Sequence, residues 1–323
     1  MNWHKTNLAL IIILVVIDIF LAAMLWETYR STRFIPESLI DGATENLSQK
    51  NIILDKDMID RNLYTKPVYL YSPGSAFAEK MKTSASETHP YLISVLAYLT
   101  DQTENSAEDS MQYFDIPDGT SISVFDQSGK PAASAVISGD LNFEYCDSGF
   151  DKTLISSEVS DLLEAEYINS EKTDCPDQIK KLTRAVYDDT LSVNAVKIND
   201  FKDGKLVLCM ISVNGIDILD MKICFYIKDE KILYINGDFL FGKPVEEYSA
   251  ALIDGINILY NITNESDETI NILSQNLAYS VFDIENGSKY IVPCWIISYA
   301  SSRNNPSNVD YMIFNALTGE SLG

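Results

Sequence analysis

Residues 205–240 read KLVLCMISVNGIDILDMKICFYIKDEKILYINGDFL, three apolar runs broken at Asn214-Gly215 and at Asp229-Glu230. Runs of that length, rich in Ile, Val, Tyr and Phe and punctuated by turn residues, read as β-strands. A fourth run, SVNAVKIN (192–199), precedes them across Asp203-Gly204. Just upstream, Pro176 suits a first helical turn, Asp174 is placed to cap it, and Ile179, Leu182 and Val186 share one helical face. Phe225, Tyr234 and Phe239 alternate along the runs and read as core.

The order then restarts. Pro244 is expected to open a second helix carrying Leu252, Ile256 and Leu259, followed by ETINIL, LAYSVFD, KYIVPCWIISY and DYMIFNALTGE (310–320). Helix followed by strands, twice, predicts an α+β protein of two similar units, each with one helix on an antiparallel sheet. Upstream, Pro36 opens a helix with Ile40, Ala43 and Leu47, and extended pieces lie at 51–55 and 66–72. A helix follows over Tyr91–Leu99, then an acidic loop over Asp101–Asp109. SISVFD, PAASAVIS and LNFEYC form a meander with Gly129 in a turn, and a helix spans Glu158–Ile168.

Leu8–Trp26, LALIIILVVIDIFLAAMLW, is apolar except for Asp18. As a helix it would rise about 28 Å, close to the roughly 30 Å of bilayer hydrocarbon. The run is longer than a signal-peptide core and no A-x-A site follows, so it reads as an uncleaved signal-anchor rather than a leader. Lys5 lies on one side and Arg30 and Arg33 on the other, so basic residues leave the orientation open. The expected plan is a short tail (1–7), transmembrane anchor (8–26), stalk (27–35), N-terminal lobe (36–172) and two α+β units (173–242 and 243–323). An ionised aspartate mid-membrane costs about 2.5–3.5 kcal/mol, so Asp18 is the expected contact with a partner's transmembrane helix, against an isolated protonated carboxyl.

The 323 residues carry 24 Lys and Arg against 47 Asp and Glu, a net charge of −23 that repels phosphate backbones and argues against nucleic-acid binding. The two histidines, His4 and His89, lie far apart, and G-x-S-x-G, H-E-x-x-H, Walker A and G-x-G-x-x-G patterns are absent. No catalytic residue, cofactor or metal ligand is therefore expected. The five cysteines form no C-x-x-C pair. Cys209 and Cys224 flank Asn214-Gly215 and could face each other across a hairpin, though spacing alone does not establish bridging geometry.

Three groups of residues carry a family likeness: Met1-Asn2-Trp3 and Lys5 ahead of an apolar helix with Ile19-Phe20-Leu21; Ala250, Ile256, Leu259 and Tyr260 followed by Leu277-Ala278-Tyr279; and Val292-Pro293-Cys294-Trp295 with Asn315-Ala316-Leu317-Thr318-Gly319-Glu320. Together they resemble the YycI (WalI) regulators, similar in plan to their companion YycH, of the WalK–WalR two-component system. Asn2 replaces an acidic residue of the family's opening, Asp18 stands where asparagine is common, and residues 56–170 carry no quoted motif. The A-x-T-G-E ending also resembles PepSY-like domains. The resemblance implies a cytoplasmic N-terminus, an extracytoplasmic domain held to the cell membrane by residues 8–26, and no catalysis. It implies binding to a WalK-like sensor histidine kinase, with a YycH-like companion as a further partner. The alternatives are an exported PepSY-type inhibitory or chaperone module for a protease, and an exported cell-wall enzyme.

Overall fold

The computed structural model describes residues 15–26, 34–71, 89–117, 119–138, 142–165, 170–187, 190–240, 244–264, 268–283, 288–301 and 309–322. Of these, 48% are strand and 28% helix. Pro36 precedes helix α1 (Glu37–Gln49), whose Ile40, Ala43 and Leu47 are buried as their spacing predicts. Strands β1 (Ile52–Leu54) and β2 (Thr65–Tyr71) follow, then helix α2 (His89–Leu99), which buries Leu92, Val95 and Leu96. The expected acidic loop contains a short helix, α3 (Glu104–Asp109), because Thr103 caps it by accepting the Ser106 N–H. The meander has one strand more than expected: β3 (Met111–Ile116), β4 (Gly119–Phe125), β5 (Pro131–Ser138) and β6 (Asn142–Asp147). Helix α4 (Ser156–Glu164) buries Val159 and Leu162, and helix α5 (Asp177–Val186) buries Ile179, Leu182 and Val186. Asp174 pairs with Lys180 at 3.3 Å and does not cap α5.

Next come β7 (Leu191–Phe201), β8 (Gly204–Val213), β9 (Ile216–Lys228) and β10 (Lys231–Asp238), all antiparallel. The helix expected from Pro244 is instead strand β11 (Val245–Ala251). The helical turn begins only at α6 (Gly255–Tyr260), where the Asp254 carboxylate accepts the Asn257 N–H at 2.9 Å. Strands β12 (Ile270–Asp283), β13 (Lys289–Ser301) and β14 (Asp310–Asn315) complete the chain.

One compact unit comprises Pro67–Tyr248 and Ala278–Val292. Every residue of β8 from Leu206 to Val213 is buried, because both faces of the sheet are covered here. Val207, Cys209, Ile211 and Val213 join a core with α2 and α5, whereas Leu206 and Leu208 join Val159 and Leu162 of α4. The β8–β9 turn at Asn214-Gly215 has φ of 49° and 77°, the mirror-image geometry of two-residue hairpins. Its register pairs Leu208 with Cys224 and Cys209 with Ile223. Cys209 and Cys224 are thus one register step apart and point to opposite faces, which excludes a bridge between them; both are free thiols.

The other unit is built from three stretches, Met1–Lys66, Ser249–Leu277 and Pro293–Gly323. Its core gathers Ile40 and Leu47 of α1, Ile256 and Leu259 of α6, Ile270 of β12, Trp295 of β13 and Phe314 of β14. Trp295 is fully buried, donates Nε1–H to the Ile253 carbonyl at 2.8 Å and packs against Tyr64. The closing Asn315–Glu320 stretch is a structural loop. The Asn315 side chain accepts the Leu317 N–H at 2.8 Å, Gly319 takes φ 77°, and the Gly319 carbonyl accepts from Asn261 at 2.9 Å.

The expected fold class and localisation are corrected as well. The fold is not a pair of helix-on-antiparallel-sheet, PepSY-like units: strands predominate and form a large mixed sheet, with β1 parallel to β12 and β12 parallel to β9. The physical reason lies in runs such as KLVLCMISV, whose uninterrupted hydrophobicity belongs to strands covered on both faces. The single-pass membrane localisation is also overturned, because among the described residues no helix is long and apolar enough to cross a membrane. The described helix over 15–26 rises only about 18 Å. Residues 8–14 of the expected anchor, the tail with Lys5 and His4, and residues 27–33 lie outside the described residues. Of the expected stalk, Phe34 bridges Asn62, and Ile35 is buried with its N–H on the Arg61 carbonyl.

Truncating the Trp295 side chain removes the largest fully buried group of its unit and strands the Ile253 carbonyl. Trp295→Ala should cost about 3–5 kcal/mol, read as a lower urea midpoint.

Candidate functional site

Two hairpin connections lie at the end of the sheet opposite Asn214-Gly215. Lys202-Asp203 joins the paired residues Phe201 and Gly204, and Asp229-Glu230 joins Lys228 and Lys231. Lys202, Asp229 and Glu230 hold φ of 53°, 49° and 62°, the left-handed region that costs an L-residue roughly 1–2 kcal/mol. Such strain concentrates at functional sites. Between the turns, Gly204 lets the Tyr226 ring approach closely, since a Cβ there would sit 2.7 Å from the ring and 2.5 Å from the Ile227 carbonyl oxygen. Phe150 stacks on Tyr226 with centroids 5.1 Å apart.

These rings and Leu233 floor a cleft of about 480 Å³, with Lys202, Lys228 and Lys231 at its rim facing Asp151, Asp203 and Asp229. Lys228 pairs with Asp203, and this bond holds the Asp203 carboxyl below the usual carboxylate range and raises the Lys228 ammonium. Tyr226 donates to Asp203 at 3.3 Å, and burial pushes its phenol up. Lys202 donates to the Leu154 carbonyl at 2.9 Å. In a chain of net charge −23, this rim balances its charges locally over an aromatic floor. Such a cleft suits an inserted apolar or aromatic side chain flanked by polar groups.

A second feature lies at the far end of β10. Gly237 has φ 139°, and a Cβ there would meet the Lys222 carbonyl oxygen at 2.2 Å, so β9 and β10 close tightly around Asp238. Burial pushes the Asp238 carboxyl up to about 6; the Lys222 N–H and the charges of Lys289 and Lys222 oppose that, and the Asp220 charge adds to it.

Asp18, the one residue expected to contact a partner, sits exposed on the 15–26 helix among exposed Val15, Ile19, Phe20 and Leu25. It belongs to neither feature just described. No group of three or more metal-ligating side chains occurs among the described residues. The cleft residues are hidden in sequence because Tyr226 and Leu233 lie inside apolar strand runs, Phe150 lies outside any such run, and Asp203-Gly204 and Asp229-Glu230 read as ordinary turns. A turn lacking Gly or Asn between long strands, as at Asp229-Glu230, was the available signal.

No protein-family model matches the chain. No curated protein matches it. Among solved structures, the chain is similar to the crystal structure of an uncharacterized protein from Eubacterium rectale ATCC 33656. The two are 10% identical over 89% of this chain and 98% of that one, with a TM-score of 0.47.

The free carboxyl of an unfolded chain titrates near 3.9, below the folded value of Asp238. The folded state therefore binds the extra proton, and its stability falls as pH rises from about 4 to about 6, by at most roughly 3 kcal/mol. Asp238→Asn should flatten that fall in denaturant titrations at stepped pH. Glu230→Gly, which removes the left-handed cost, should raise stability by about 1 kcal/mol in the same measurement.

Proposed function

We propose that this chain is a non-catalytic binding protein that modulates a sensor histidine kinase of the WalK type, as its resemblance to YycI implies, with a YycH-like protein as a second partner. One observation supports this reading above others. Several residues that carry the later parts of the resemblance, far apart in sequence, share one core: Ile256 and Leu259 of α6 lie with Trp295 and Ala316, whereas Tyr279 belongs to the core of the other unit. The Ala316 N–H donates to the Pro293 carbonyl at 3.0 Å. Two of these motifs, each ordinary alone, thus meet in one core.

A regulator of this class works by holding one conformation of the kinase more tightly than another, and its effect equals that difference in binding free energy. A tenfold change in kinase activity needs only about 1.4 kcal/mol of preference. The cleft between the hairpin turns offers one contact surface, and the exposed helix with Asp18 another.

The full chain co-expressed with a WalK-type kinase should copurify with it and change its autophosphorylation rate. Asp18→Leu should weaken the copurification several-fold while leaving the thermal midpoint of the remaining protein unchanged. Recovery of no kinase by the wild-type chain would remove the proposal, and equal recovery by the variant would remove Asp18 from it.

A further inference from the structure

The expected Cys209–Cys224 pair is not the one the fold brings together. Cys175 Sγ lies 3.6 Å from Cys209 Sγ, van der Waals contact, although the two residues are 34 positions apart. Cys175 precedes α5 on an irregular segment tied to the sheet by a single bridge, Thr173 to Ala195, and by the ion pair Lys172–Asp217. Its Sγ also donates to the Val193 carbonyl at 3.3 Å, so the thiol is aimed across the edge of β7 at β8. The remaining thiols are elsewhere: Cys224 on the opposite face of the sheet, Cys146 beside Phe150, and Cys294 in the other unit.

The geometry points to Cys175 and Cys209 as a dithiol that closes to an intramolecular disulfide by exchange with a small-molecule or protein disulfide. Closure to the bonded separation of about 2.05 Å needs roughly 1.5 Å of movement, which the lightly tied segment before α5 supplies. The two sulfurs have unequal roles. Cys175 keeps 5% exposure and shares a hydrogen bond with Cys209 that lowers the pKa of its thiol, whereas complete burial holds Cys209 as the thiol.

The Cys175 thiolate attacks the donor disulfide, forming a mixed disulfide and expelling one donor sulfur, which leaves as a thiol with the proton that Cys175 gave up. Cys209 then loses its proton and displaces the second donor sulfur from Cys175, and that sulfur takes up the proton. Two protein thiols are oxidised to one disulfide, and one donor disulfide is reduced to two thiols. The new bond fastens the start of α5 to the central strand β8 and closes a 34-residue separation.

The test uses the full chain incubated with oxidised glutathione, denatured, alkylated with N-ethylmaleimide and mapped by mass spectrometry. Two of the five cysteines should escape alkylation, and a Cys175–Cys209 linked peptide should appear, absent from C175S and retained in C224S. The thermal midpoint of the oxidised wild type should exceed that of the reduced protein by roughly 5–10 °C, a shift that C175S lacks. Five alkylated thiols after oxidation, glutathione remaining on Cys175, or a linked peptide joining another pair would each overturn the assignment.

Discussion

Burial of strand β8 on both faces governs the larger unit. Leu206 to Val213 are all buried, with Val207, Cys209, Ile211 and Val213 on the α2–α5 side and Leu206 and Leu208 against α4. A strand placed this way exposes no side-chain face to water, so its backbone groups must find partners in neighbouring strands, here β7 and β9. The hairpin at Asn214-Gly215 then locks the register, and a one-residue slip would exchange the two cores. The same register sets the fate of the cysteines, turning Cys209 toward Cys175 and Cys224 away from both.

Much of the local structure is legible in the residues. The buried faces of α1, α2 and α5, the strands of the meander and the four runs from 191 to 238 follow from periodicity and turn chemistry. What was not legible was tertiary. Val245–Ala251 follows Pro244 and contains Ala and Glu, good helix formers, yet it is extended, because context overrides so weak a propensity. Parallel pairing of β1 with β12 joins residues more than two hundred positions apart, and no local pattern announces it. Element order suggests an α+β repeat, but it carries no information about which strands pair.

The site followed the same division. Turn positions were visible, but not the left-handed conformations of Lys202, Asp229 and Glu230. Nor was it visible that Phe150, from the region after β6, reaches the Tyr226 ring of β9. A half-buried carboxyl such as Asp238 looks no different in sequence from the other acidic residues of so acidic a chain. Its environment, built by the tight Gly237 crossing, is what distinguishes it.

The smaller unit draws on stretches at both ends of the described chain, and that arrangement orders events in time. Helix α1 leaves the ribosome well before Trp295 and Phe314, which share one core with its Ile40 and Leu47. Translation at several residues per second leaves the apolar face of α1 waiting for tens of seconds, while the strands from β3 to β10 can already pair among themselves, β9 alone awaiting β12 as well. The smaller core can therefore close only once β14 has been made.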